Sequence, residues 1–380
     1  MNKKVILIYP YFCGVSGAYN RYLLLERLIK ISNLNVKFII LKEKKFHSNI
    51  AKFIHKFLKY LKVESLIIFH CIFKKQFLIT DFNPSIVALF SKKVLIQIHD
   101  VSWVNNKFTR HSIFFYRIFK FFLKYYKNIL TVSKTSLIAI NKVSGREKKI
   151  SYLYNSVSCG FINESNNIGR ENIDYETDFI HNNIDFDIPN LLYIATLTPR
   201  KSHEDLLEAL SKTNSYFNVN LVGLPTNKKI LDLIKSKKTF EGKNIKSKIN
   251  YFPEISQRNL CKLLLFSSAY ISTSMDEGFG IPVLEAQLYE IPLIIRDLDI
   301  NRELFPNANF FNTTFELTNL LDEIKPLSND KITKRKKTLA NISHSNLIEK
   351  YNHYNLSRKL ENIFLPKKNN SGKEINLKTT

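Results

Sequence analysis

At 380 residues with 44% hydrophobic side chains, the chain can build two hydrophobic cores of ordinary size rather than one. Its four cysteines (Cys13, Cys71, Cys159 and Cys261) lie far apart and form no C-x-x-C, so neither a disulfide framework nor a zinc knuckle is indicated, which fits a reducing cytoplasm. The net charge of +24 is concentrated: residues 1–150 hold 28 Lys and Arg against 6 Asp and Glu, and the remainder holds 29 against 27. A field of one sign on one half implies a polyanionic partner for that half: nucleic acid, anionic lipid or a lipid-diphosphate acceptor.

Taken in chain order, MNKKVILIYPYFCG imitates a signal peptide, but the apolar run is short and Pro10 breaks it. No apolar run reaches the roughly eighteen residues that a membrane span needs. Lys4–Tyr9 is predicted to be a buried parallel strand. The loop Pro10–Gly17 follows, then a helix over Tyr19–Ile31 with Leu24, Leu25 and Leu28 at helical spacing. Gly14 and Gly17 in that loop do not complete G-x-G-x-x-G. Asn35–Leu41 reads as a second strand. Residues 49–62 read as a basic amphipathic helix, with Lys52, Lys56, Lys59 and Lys62 on one side and Phe53, Phe57 and Leu61 on another. Ser65–Phe69 and Ile86–Phe90 fit strand or helix equally.

Val94–Ile98 is a buried strand that runs into His99-Asp100, and ligands of doubly wound sheets sit beyond the carboxyl ends of strands. Residues 111–128 give a second basic amphipathic helix. Arg117, Lys120, Lys124 and Lys127 recur at three- and four-residue steps, with Phe114, Ile118, Phe121 and Phe122 between them. Such a helix lies in a membrane interface or packs on a core with a solvated basic face. Ile129–Ser133 is again a strand, and the polar, acidic stretch 155–188 reads as a linker.

Leu191–Ala195 starts a new sheet. Thr198-Pro199-Arg200-Lys201 and a helix over Glu204–Leu210 follow. Val219–Gly223 and Ile249–Phe252 are further strands. Ala269–Ser272 then leads through a polar turn and Gly278-Phe279-Gly280 to a helix opened by Pro282, whose missing N–H suits the first helical position. Free N–H groups behind a glycine make a phosphate site there. Glu277 and Glu285, the latter in the first helical turn, frame it with carboxylates that accept bonds from hydroxyls, so the combination suggests a sugar nucleotide. Pro292–Ile295 is a strand. Asp297 and Asp299 form a D-x-D, as do Asp185 and Asp187, a pattern common by chance. The end, residues 331–364, is helical and basic, and the tail 366–380 has the composition of a disordered segment.

The run DEGFGIPVLEA resembles the E-x7-E motif of the retaining glycosyltransferases of family 4, and LLYIATLTPRKSHEDLLEAL resembles that family's second signature. The resemblance implies an α/β chain of GT-B fold, with two facing Rossmann-like domains and a donor/acceptor cleft between them. It implies an acceptor domain over 1–165, a sugar-nucleotide domain over 166–340 and a helix within 341–365 that crosses back to the first domain. In that reading Arg200, Lys201, Gly280 and Ile281 hold the donor diphosphate, while Glu285 and Phe279 hold the donor ribose and sugar. Glu277 and His99 are the catalytic pair, and Gly14 and Gly17 line the N-terminal loop. The donor is a GDP- or UDP-sugar, no metal or other cofactor is required, and the acceptor is a glycan or lipid-diphosphate of a cell-surface polysaccharide. The stripe Arg117, Lys120, Lys124 and Lys127 would meet an anionic membrane surface or the acceptor, which places the protein in the cytoplasm, peripheral on the inner face of the membrane.

The chain departs from the family's pattern at Ala195 and Thr196, where Gly is common, and at Tyr289-Glu290, where a small residue and Gly are usual. Two other readings remain open. One is a GT-B enzyme that binds a sugar nucleotide without transferring it, in the manner of an epimerase. The other is a basic nucleic-acid-binding protein, which leaves the glutamate motif unexplained; the expectation is no nucleic-acid partner.

Overall fold

The computed structural model describes residues 4–10, 17–32, 35–41, 49–74, 77–80, 85–99, 110–145, 149–171, 178–239, 241–341, 351 and 353–364. The chain divides into two compact units, Met1–Ser156 with Tyr351–Thr380, and Val157–Lys350. The first unit therefore ends before the boundary expected at residue 165.

In the first unit the strands are β1 (Lys4–Pro10), β2 (Asn35–Leu41), β3 (Phe77–Thr80), β4 (Val94–Ile98), β5 (Asn128–Thr131) and β6 (Lys149–Tyr152). They form one parallel sheet in the order β2-β1-β3-β4-β5-β6. The direction of winding reverses between β1 and β3. Every residue of β4 is buried, as expected for a strand covered on both faces. The helices are α1 (Gly17–Ile31), α2 (Asn49–Ile68), α3 (Val87–Phe90), α4 (Arg110–Tyr125) and α5 (Lys134–Ser144). One apolar layer joins Ile6, Ile8, Val63, Ile67, Cys71, Leu123 and Ile140; a second joins Val5, Leu7, Leu25, Leu28, Leu356 and Leu360.

The segment Ser65–Phe69 belongs to α2 and to a π-helical turn, Phe69–Phe73, that extends it. Val63, Ile67 and Cys71 are buried at four-residue steps, the spacing of a helix face. Ile86–Phe90 is likewise helical, over Val87–Phe90. The helix expected over 111–128 stops at Tyr125, because Tyr126 turns inward to accept a hydrogen bond from Ser85 N (3.0 Å) and Asn128 opens β5.

In the second unit the strands are β7 (Asn190–Ile194), β8 (Asn218–Val222), β9 (Lys248–Phe252), β10 (Ala269–Ser272), β11 (Leu293–Arg296) and β12 (Asn309–Phe311). They form a second parallel sheet in the order β12-β11-β10-β7-β8-β9. Its helices are α6 (Cys159–Arg170), α7 (Asp178–Asn183), α8 (His203–Lys212), α9 (Lys228–Ser236), α10 (Gln257–Phe266), α11 (Ile281–Leu288), α12 (Asp299–Leu304), α13 (Thr314–Asp322) and α14 (Asn329–Ala340). The stretch read as a linker over 155–188 thus carries α6 and α7. In α6, Phe161, Ser165 and Ile168 are buried at helical spacing within an otherwise polar run, and Ser158 caps its N-terminus by accepting from Phe161 N (3.0 Å). Gly169 is required there: a Cβ on it would stand 2.4 Å from Ala340 N of α14.

The final helix, α15 (His353–Phe364), returns to the first unit, where the Ser357 hydroxyl donates to Leu28 O of α1 (2.9 Å). The tail 366–380 lies outside the described residues.

Candidate functional site

In the second sheet the winding reverses between β7 and β10, which are hydrogen-bonded neighbours. Loops leaving the carboxyl ends of strands diverge at such a point and leave room for a ligand. The loop after β7 carries Arg200 and Lys201, and the loop after β10 carries Glu277 to Gly280. The sheet topology therefore brings together two motifs about eighty residues apart in the chain.

The two loops are laced together. Met275 N donates to Arg200 O (2.9 Å), and Arg200 Nη1 donates to Asp276 O (2.7 Å). Lys201 Nζ meets Glu277 Oε1 at 2.5 Å, with both side chains mostly covered. Beneath them, the Thr273 hydroxyl lies 3.0 Å from Lys201 O and 2.7 Å from Ser202 O, and the buried Tyr193 hydroxyl donates to Lys201 O (2.5 Å). Arg296, at the end of β11, donates to Thr273 O (3.1 Å) and Asn312 O (3.1 Å) and pairs with Asp205. Tyr193, Thr273, Asp205 and Arg296 form a bracing set that the sequence reading missed. Each stands at or just beyond a strand end or helix start, and that placement is their one signal in the sequence.

Burial works against the charge of Glu277, but the Lys201 ammonium, the Ser274 hydroxyl and Arg200 outweigh it and hold the carboxyl below its ordinary range. Glu285 is the opposite case. It sits in α11, one turn further in than expected, half-buried and without a hydrogen-bond partner among the described residues, and burial pushes its pKa up to about 8. His203 is buried against Tyr193, with ring centroids 4.7 Å apart, and burial followed by the Lys201 charge lowers it to about 4. It is a neutral packing group in the floor of the site.

Gly280 adopts the left-handed backbone (φ 79°) that a non-glycine residue resists, and it caps α11. The first bonds of the helix run from Val283 N and Leu284 N to Gly280 O, so Ile281 takes the first helical position and Pro282 the second. The N–H groups of Gly280 and Ile281 precede the helical bonding pattern and are the ones a ligand can use. Phe279 is 3% exposed, so its ring packs inward and only its backbone belongs to the loop surface.

Gly223, after β8, runs against the backbone of Ala195, since a Cβ on Gly223 would stand 2.0 Å from Ala195 O. At the second departure from the family pattern, the structure accommodates what the chain carries. Tyr289 is buried beside Phe161 and shares a 2.9 Å hydrogen bond with Ser165 of α6, while Glu290 takes the left-handed conformation (φ 52°) that explains why Gly suits this turn.

Neither D-x-D is laid out as a metal site. Asp297 is held by the Arg302 fork at 2.5 and 2.6 Å, and Asp185 shapes a turn by accepting from Asp187 N (3.0 Å). Among the described residues no group of three His, Cys, Asp or Glu is placed to hold a metal ion.

In the first unit His99 follows β4 at the carboxyl edge of the sheet, half-buried, with Nε2 3.1 Å from Gln97 Nε2 and its ring edge-on to Tyr22. Gly17 opens α1; Gly14 and Asp100 lie outside the described residues. On α4 and just beyond it, Arg117, Lys120, Lys124 and Lys127 are all exposed, and so are Phe121 and Tyr125, whose rings lie 4.8 Å apart.

Over 228 residues the chain is 25% identical to the O-antigen chain mannosyltransferase RfbU of Salmonella typhimurium, covering 57% of this chain and 55% of that one. Over 119 residues it is 30% identical to the serotype-specific mannosyltransferase WbdA of Escherichia coli, covering 30% of this chain and 14% of that one. The chain thus spans about half, or less, of the curated relatives it matches. Among solved structures, HepE of Anabaena in complex with UDP and glucose superposes with a TM-score of 0.64 at 13% identity, over 95% of this chain and 99% of that one. WaaG, a glycosyltransferase involved in lipopolysaccharide biosynthesis, gives 0.62 at 14%, over 95% and 99%. The chain shares the GT-B fold of these structures, and its residues 174–344, most of the second unit, match the family described as Glycosyl transferases group 1.

Proposed function

We propose that the chain is a retaining glycosyltransferase that moves a sugar from a GDP- or UDP-sugar to a glycan or lipid-linked glycan acceptor in cell-surface polysaccharide synthesis. The observation that carries this reading is the meeting of Arg200, Lys201, Glu277 and the Gly280 cap of α11 at the switch point of one sheet. Cations and a helix start at one place match the charge that develops on a leaving diphosphate. The UDP held by HepE and the mannosyltransferase names of the sequence relatives support the same donor class.

In this mechanism Arg200, Lys201 and the N–H groups of Gly280 and Ile281 stabilise the departing diphosphate. Glu285 accepts hydrogen bonds from the ribose hydroxyls, and Glu277 accepts one from the donor sugar once Lys201 turns to the phosphate. His99 serves the donor sugar or the acceptor. Cations of the protein neutralise the leaving group, so no metal is needed. Attack and departure on one face of the sugar, the course implied by the family resemblance, gives retention.

The exposed face of α4 supports a peripheral contact with an anionic membrane. Phe121, 54% exposed, and Tyr125 stand among four cations, as in an interfacial helix, and no described helix is long and apolar enough to cross a membrane. The reading is tested by incubating the full chain with GDP-mannose, UDP-glucose and related donors plus lipid-diphosphate-linked glycans, with and without EDTA. The expected result is a transfer product in the anomeric configuration of the donor, formed in EDTA. An inverted product would contradict retention, and a free epimer without transfer would favour the epimerase-like alternative.

A further inference from the structure

Arg21 lies in α1, 1% exposed, and reaches the carboxyl ends of two other strands. Its Nη1 donates to Tyr154 O (2.9 Å) and Asn155 Oδ1 (3.0 Å), and its Nε to Gln97 Oε1 (3.4 Å). All three partners are neutral and Nη2 has none among the described residues, so within them this is a buried guanidinium without a carboxylate. Burial is the main cause that brings its pKa down to about 9. Such an arrangement is costly, and an aliphatic side chain would fill the same space at less expense. A cost of this kind is expected where a site needs a fixed polarity.

The polarity can be followed atom by atom. A guanidinium only donates, so the end of Gln97 that faces Arg21 must be its carbonyl oxygen. The Gln97 amide nitrogen is then the end 3.1 Å from His99 Nε2, and it too only donates. His99 Nε2 must therefore accept, which leaves the proton of the neutral ring on Nδ1. Asn155 and Tyr154 O hold the far side of the guanidinium, so Gln97 cannot reverse without losing its bond to Arg21.

We infer that Arg21 is a positioning residue: through Gln97 it fixes His99 as the Nδ1–H tautomer, which makes Nδ1 the hydrogen-bond donor that the imidazole offers. The inference rests on the role of His99 proposed above, and it adds the direction of its hydrogen bond. In this tautomer a substrate oxygen that meets Nδ1 does so as a hydrogen-bond acceptor, and Nδ1 does not act there as a base.

The test is a two-bond ¹H–¹⁵N correlation spectrum of the full chain labelled at histidine, with the His99 signals assigned by their loss in His99→Asn. The expected wild-type pattern is a protonated Nδ1 and a bare Nε2. In Gln97→Glu the carboxylate still accepts from Arg21 but now also accepts from His99, so Nε2 gains a proton. Turnover should fall at least tenfold with donor KM within about threefold of wild type. Arg21→Met, which frees Gln97 to turn, should give a mixture of tautomers. A wild-type ring protonated on Nε2 alone, or no change at His99 in Gln97→Glu, overturns the inference. Turnover of His99→Ala is the separate control: if it equals wild type, the proposed role of His99 fails, whatever the tautomer.

Discussion

The two units handle charge in opposite ways. In the second, the cations of the site are already engaged: Lys201 with Glu277, Arg200 with the Asp276 carbonyl, and Arg296 with Asp205. Of the six acids among residues 1–150, Glu64 is buried, accepting from Ile86 N (3.1 Å) and Val87 N (3.3 Å), while Arg117, Lys120, Lys124 and Lys127 stand exposed. Paired, braced charge selects a ligand by geometry, because a phosphate must displace Glu277 to reach Lys201. Unpaired surface charge attracts any polyanion and depends on salt. The contrast assigns the diphosphate grip to one unit and surface attraction to the α4 face of the other, and each half of that assignment can be broken separately.

The largest effect belongs to the surface. Each cation near an anionic bilayer contributes ~1 kcal/mol, so changing Arg117, Lys120, Lys124 and Lys127 to Gln should lower affinity for anionic vesicles about a thousandfold. Sedimentation at low salt measures this. Wild type that fails to sediment would leave the stripe as a solvated face. The diphosphate grip comes next. Arg200→Ala with Lys201→Ala removes charge-assisted bonds worth ~1.5–3 kcal/mol each and should cut turnover about a hundredfold or more. Near-normal turnover would sink the pair's assignment.

Two titrations sharpen the contrast within the second unit. Buried neutral His203 has its folded pKa lowered from 6.5 to about 4, so the unfolded chain takes up the proton first as pH falls. Stability is then present above 6.5 and is lost between 6.5 and 4, by about 2 kcal/mol from pH 7 to pH 5. Urea unfolding of wild type against His203→Gln isolates that slope, and equal slopes would contradict it. Glu285 has its folded pKa raised to about 8, so a donor whose ribose binds the carboxylate must expel a proton below that pH. Donor affinity should rise up to about tenfold per pH unit toward 8 and level off above it. Glu285→Gln should flatten that profile, and an unchanged profile would remove Glu285 from the ribose.

Much of the second unit was legible in the sequence, for physical reasons. Strands such as Asn190–Ile194 and Ala269–Ser272 are buried on both faces and bounded by turns, so they show as short apolar runs. The glycines and proline around Gly280 mark a backbone that few other residues permit. What stayed hidden was made by tertiary packing. The strand Phe77–Thr80 follows an apolar helix with no change of composition, and α6 shows its buried face only as Phe161, Ser165 and Ile168 among polar letters. The brace of Tyr193, Thr273 and Arg296 uses backbone carbonyls as acceptors, which leave no trace in residue identity. Arg21 was invisible for a similar reason: among leucines on α1 it reads as a surface cation, and burial alone reveals it.

The division of labour is tested most directly by titrating GDP-mannose, UDP-glucose and duplex DNA into the full chain by calorimetry, at low and moderate salt. The same titrations are run on the Arg200/Lys201 alanine pair and the four-residue glutamine stripe. The account predicts that one nucleotide sugar binds wild type and the stripe variant alike, with little dependence on salt, and fails to bind the alanine pair. Failure of every nucleotide sugar to bind wild type, or equal binding by the alanine pair, would contradict it.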